Sequence, residues 1–100
     1  MIRIPIHPGT ILRDELGEIG IGAAELARQL KVPENRMYEF MRGRRSITVD
    51  TALRLGRWFG ASADFWMNLQ KSHELRKAEQ ELGAEINQIK PCTVVAGQGN

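Results

Sequence analysis

Glu34, Asn35, Arg36, Tyr38 and Glu39 gather hydrogen-bonding side chains into one short stretch, and Arg42, Arg44 and Arg45 follow directly. An asparagine can bond an adenine edge at two points and an arginine a guanine edge at two points, while a glutamate can accept from a cytosine amine. Arginine also presents a planar fork of donors that matches phosphate oxygens. A run suited to base edges followed by a run suited to phosphates points to a nucleic-acid face. If the first run lies on a helix in the major groove, its N-terminal residues reach deepest. Glu34, Asn35 and Arg36 are then the first candidates for base edges, with Tyr38 and Glu39 next. Arg42, Arg44 and Arg45 lie beyond them and suit the backbone, which positions a protein without reading sequence.

The charge distribution supports a polyanionic partner. The net charge is only +2 over 100 residues. Residues 28–57, however, carry eight basic side chains, seven of them arginine, against three acidic ones. The flanks are acidic, with two basic against four acidic residues before this segment and four against five after it. A basic face offset by acidic flanks is the footprint expected for nucleic acid.

The elements that must position these groups are helical. Pro8 suits a first helical turn, so a helix is expected from about 8 to 18, stopping near Gly20, with Leu12 and Leu16 inward and Asp14 and Glu15 toward water. A second, from about 23 to 30, has Leu26, Ala27 and Leu30 on one face and breaks at Lys31-Val32-Pro33. A third starts at Pro33 or Glu34, buries Met37, Phe40 and Met41, and ends at Gly43. Thr48 and Ser62 are N-caps for a fourth and a fifth helix, each with an aspartate in its first turn. The expected inner stripe of the fourth is Val49, Ala52, Leu53, Gly56 and Phe59, with Gly60 as its end. Phe65, Trp66, Leu69, Leu75, Ala78, Leu82, Ile86 and Ile89 keep helical spacing almost to Pro91, and Gly83 is where that long helix would end or kink. A short edge strand around Arg3 and Ile4 is the only strand expected. The reading is a single domain over 1–90 and a flexible tail over 91–100.

Two short helices joined by about three residues, the second flanked by arginines, have the layout of a helix-turn-helix over about 23–42. That motif needs a small residue where its helices cross, a plug in the turn and an anchor under the second helix. Ala27, Val32 and Met37 stand at those places. Charged outer faces also occur on ordinary amphipathic helices, and the second helix alone would fit that reading. The small residue, the turn, the arginine loop and the regional charge together favour DNA.

The run from Leu26 to Gln70, LARQLKVPENRMYEFMRGRRSITVDTALRLGRWFGASADFWMNLQ, resembles the helix-turn-helix of the xenobiotic-response-element type. More narrowly, His7-Pro8-Gly9, GRRSITVDTALRLGRWFG and FWMNLQ resemble the HigA-type antitoxins, the virulence-associated protein I group, over about residues 7–78. The resemblance implies an all-α, five-helix, lambda-repressor-like domain with an extended C-terminal helix. It further implies a homodimer on a palindromic operator in double-stranded DNA, repression of its own operon, and neutralisation of a cognate RelE-like, mRNA-cleaving toxin. The chain departs from the family where a polar Ser-Gln pair usually opens the first helix of the motif. Gly22 and Ala23 stand there, so a phosphate at Ala23 would be met by the helix N-terminus rather than by a side chain. Lys31 replaces the glycine common in the turn, where a left-handed backbone would carry a cost.

Three functions fit these residues: an operator-binding antitoxin, a toxin-masking module with weak DNA contact, and a stand-alone regulator of the same fold. The stripe of Leu75, Ala78, Leu82 and Ile86 could close the core or form a dimer seam, and dimers read half-sites one DNA turn apart. Trp58, Phe65 and Trp66 could form a ligand pocket or a partner surface, but their helical spacing against Phe59 and Leu69 favours core, with Trp58 the one expected to be partly exposed. The acidic residues Asp14, Glu15 and Glu18 would suit a basic toxin, and equally a solvated helix face. No Gly-rich phosphate loop, nucleophile elbow or HExxH motif occurs, so no enzyme, cofactor or metal is expected. His7 and His73, far apart in sequence, read as helix-end or surface residues. The single Cys92 cannot form an internal disulfide. With no apolar run of about 18 residues and no signal-like N-terminus, the expected location is the cytoplasm, away from membranes.

Overall fold

A computed structural model describes residues 6–93 of the chain. Its five helices are α1 (Pro8–Ile19), α2 (Ala23–Leu30), α3 (Glu34–Met41), α4 (Val49–Phe59) and α5 (Ala63–Ile86). No strand occurs among the described residues, and the expected edge at Arg3 and Ile4 lies outside them. No described helix is long and apolar enough to cross a membrane.

The punctuation works as its chemistry requires. Thr48 Oγ1 accepts from the Thr51 amide and Ser62 Oγ from the Asp64 amide, each meeting one of the donors that a helix start leaves unpaired. Gly20, Gly43 and Gly60 follow α1, α3 and α4 in left-handed conformation. After α3 the Gly43 amide donates to the Phe40 carbonyl and the Arg44 amide to that of Glu39, a paired closure that fixes where the arginine loop departs.

The same closure ends α2, but without glycine. Lys31 sits at φ 61° and ψ 44°, the only non-glycine with positive φ among the described residues. Its amide donates to the Arg28 carbonyl and that of Val32 to the Ala27 carbonyl. A Cβ in this region is strained, so Lys31→Gly should raise stability by about 1 kcal/mol, measured as a higher urea midpoint at unchanged slope.

Packing converges on α3. Met37 and Phe40 are buried and meet Leu12 and Leu16 of α1 and Leu26, Ala27 and Leu30 of α2, with Val32 filling the turn. Ile47, Ala52, Leu55 and Trp66 extend the core under α4 and α5. Gly9 lets α1 cross directly against the end of α3. A Cβ there would lie 1.9 Å from the Phe40 carbonyl oxygen.

Three expectations need correction. The inner face of α4 is Thr51, Ala52, Leu55 and Gly56, whereas Val49 and Leu53 are 60% and 59% exposed. The helix is rolled so that Leu55 meets the core, and Val49, Leu53 and Arg57, at intervals of four, face out. Phe65 lies at the surface, half exposed, with Trp66 taking the core position beside it. Gly83 neither ends nor interrupts α5, which runs through it to Ile86, so Ile89 lies past the helix. Only Trp66 and Gln70 of α5 are buried, and beyond them the helix extends a molecule of 54 × 23 × 22 Å.

Candidate nucleic-acid interface

Helix α3 buries one side and leaves Glu34, Asn35 and Tyr38 exposed, with Glu39 and Arg36 half-buried. Arg42, Arg44 and Arg45 are exposed in the loop that follows. The structure therefore brings the base-edge candidates onto one outer face and sets the arginines at its C-terminal end. Arg36 is the exception to free projection. Its Nη1 meets Asp50 Oδ2 of α4 at 3.2 Å.

Asp50 also receives Arg54 Nε, at 3.1 Å. Arg54 Nη1 then donates to the carbonyls of Leu30, at 2.8 Å, and Lys31, at 3.4 Å. One guanidinium thus supplies donors to orphan carbonyls at the end of α2 and, through Asp50, orients Arg36. The Asp50–Arg54 spacing of four on α4 was legible in the sequence, but the reach of Arg54 to the turn was not. Trp58, half-buried as expected, donates from Nε1 to Gln29 Oε1 at 2.7 Å, a second tie from α4 to α2.

Gln70 performs the matching task for the arginine loop. It is 5% exposed, its Oε1 accepts from the Ile47 amide at 2.9 Å, and its Nε2 donates to Ser46 Oγ and Glu74 Oε2. Its interval of four from Trp66 was the available signal for a buried position. On the other side of the loop, His7 Nδ1 accepts from the Gly9 amide at 2.9 Å, capping α1. The His7 ring meets that of His73 at 4.9 Å, edge to face. The two histidines read as separate from sequence are therefore neighbours, brought together because α1 and α5 pack side by side behind the loop.

Burial, and after it the adjacent His73, hold the His7 imidazole below its ordinary value of 6.5. Lys77 acts in the same direction, while a hydrogen bond to the Arg45 main chain and the Glu74 carboxylate oppose it. A neutral His7 is what the cap needs, since Nδ1 must keep its lone pair. As pH falls through 6.5 the unfolded chain takes up a proton that the folded chain resists, so this stability is present above 6.5 and is lost below it. Urea midpoints measured between about pH 7.5 and about pH 5.5 should fall for the parent chain. His7→Asn, which keeps a capping oxygen, should flatten that decline.

The remaining candidates are placed as follows. Ala23 is half-buried at the start of α2, and Gly22 before it offers no side-chain cap. On α5, Leu75, Leu82 and Ile86 are 49%, 44% and 55% exposed, and Ala78 is half-buried between them. No group of three or more His, Cys, Asp or Glu residues able to hold a metal ion occurs among the described residues.

Comparison with known proteins places this arrangement. No protein-family model matches the chain. Virulence-associated protein I of Dichelobacter nodosus is 47% identical over 92 residues, covering 91% of this chain and 84% of that protein. The chain belongs to the HigA family. Among solved structures of that family, the addiction module antidote protein from Coxiella burnetii superposes with a TM-score of 0.87 at 42% identity, covering 90% of this chain and all of the other. The Pseudomonas aeruginosa antitoxin HigA, solved with the higBA promoter, superposes with a TM-score of 0.85 at 49% identity, covering 88% and 98%. The five helices of this HigA-family chain therefore carry the family fold along nearly their whole length.

Proposed function

We propose that this HigA-family chain is a sequence-specific DNA-binding antitoxin that represses its own operon. In this reading two copies sit on a palindromic operator in the cytoplasm, joined along Leu75, Ala78, Leu82 and Ile86 of α5. Glu34, Asn35, Arg36, Tyr38 and Glu39 read base edges. Arg42, Arg44 and Arg45, with the N-terminus of α2 at Ala23, grip phosphates, and a RelE-like mRNA-cleaving toxin is the protein partner. The observation that carries the reading is the exposed polar face of α3 continuing into three exposed arginines, with Asp50 holding Arg36 and Gln70 holding the loop at Ser46 and Ile47. A Pseudomonas aeruginosa relative solved with promoter DNA supports it.

The test is a gel shift on the DNA upstream of the chain's own gene, with and without the product of the adjacent gene, paired with growth rescue when the two proteins are coexpressed. A shift together with rescue is the expected result. Rescue without a shift would favour the masking reading, for which the uncapped start of α2 at Gly22 is the specific support. A shift without rescue would leave a stand-alone regulator.

A further inference from the structure

A cleft of about 240 Å3 opens between α1, the α4–α5 turn and the start of α5, well apart in sequence from α3 and the arginine loop. Its lining is Ile11, Glu15, Phe59, Ala61, Phe65 and Trp66. The rings of Phe59 and Phe65 both pack on Trp66, with centroids at 5.7 and 5.3 Å. Phe65 is nonetheless 49% exposed. The indole Nε1 of Trp66 is buried without a hydrogen-bond partner. Glu15 is exposed and forms no ion pair among the described residues. Glu18 and Ile19, three and four residues on, continue the same face of α1, and Ile19 is 50% exposed.

Aromatic walls with one carboxylate at the rim are the chemistry that receives a cation on an apolar stem. We propose that this cleft is a docking site for an arginine side chain presented by a partner protein, and, resting on the reading above, that the partner is the toxin. The arginine stem lies against Ile11 and Phe65. Its guanidinium meets the aromatic walls and pairs with Glu15, and the acidic face extended by Glu18 attracts the basic surface around it. Arginine suits the site better than lysine because its planar, weakly hydrated head stacks on aromatic rings. Docking here uses none of the residues assigned to DNA.

The test uses the full chain and N-acetyl-arginine amide as the probe. The chain has two tryptophans, so two indole N–H signals report by NMR. The Trp66 signal should move saturably, and that of Trp58, engaged by Gln29, should move less. Glu15→Gln should weaken the response by roughly threefold. N-acetyl-norleucine amide, which keeps a stem without the charge, should leave the Trp66 signal in place. No saturable movement, or an equal response to norleucine, would overturn the cleft. Growth rescue by Glu15→Lys then separates the partner from the site. Rescue by the parent and not by the variant supports the toxin as occupant, and rescue by both removes it. If neither rescues, the antitoxin reading fails while the arginine titration still decides the cleft.

Discussion

Replacing Gly9 by alanine should cost about 3 kcal/mol or more, the largest loss expected from adding a single methyl group to this chain. The added Cβ would lie 1.9 Å from the Phe40 carbonyl oxygen, 2.8 Å from its carbon and 3.0 Å from the Met41 Cα. All three are main-chain atoms at the end of α3, so no rotamer change relieves the clash and α1 must lift away. Such a shift opens the core at Leu12 and disturbs the arginine loop through His7, which caps α1 two residues earlier. Gly17 is the internal control. It lies on the exposed side of the same helix with nothing within 4 Å of an added Cβ, so Gly17→Ala should stabilise by roughly 0.5–1 kcal/mol. Urea denaturation of the two variants should move the midpoint in opposite directions. Equal midpoints would mean that α1 does not approach α3 this closely.

Arg36→Ala and Arg44→Ala should weaken DNA binding in distinguishable ways. Under the proposed reading Arg36, half-buried and held by Asp50, makes a two-point contact to a base, and losing it costs roughly 1–3 kcal/mol and relaxes the preference at that base pair. Arg44 is exposed in the loop and is assigned to phosphate. Its loss should weaken all sequences about equally and reduce the slope of log affinity against log salt by about one. Titrations of both variants on the upstream DNA and on scrambled DNA, across a salt series, resolve the two patterns. Parental binding by both at low salt would remove α3 from the groove.

The helix boundaries were legible because Pro8, Gly20, Pro33, Gly43, Thr48, Gly60 and Ser62 act on their own local backbone. The polar run of α3 was legible for a related reason, since Met37 and Phe40 fix its inner side and leave few ways to turn it. Helix α4 was harder. Two overlapping stripes fit its spacing, and choosing Leu55 over Leu53 depends on how it rolls against α2 and α5, which no local residue states. Phe65 and Trp66 posed the same ambiguity in adjacent positions. The supports of the candidate interface were the least visible part. Arg54 to the Leu30 carbonyl, Gln70 to Ile47 and His7 beside His73 all join distant segments, and their residue types alone suit any polar surface. The left-handed backbone at Lys31 was legible only through the family resemblance, which places a glycine at that turn position.

The side-by-side packing of α1 with α3 and α5 has a consequence for the order in which the chain assembles. Helices α2 and α3, and likewise α4 and α5, are partners joined by short connections, so each pair closes a small loop at little entropic cost. The main contacts of α1 skip its neighbour in sequence, and those with α5 span most of the described chain. Contacts of high sequence separation are the slow ones to form, and a helix held mainly by them is the natural first unit to open. Native-state hydrogen exchange should accordingly find α1 amides opening at a lower free energy than those of α4, with the helix-turn-helix intact while the N-terminal helix is away.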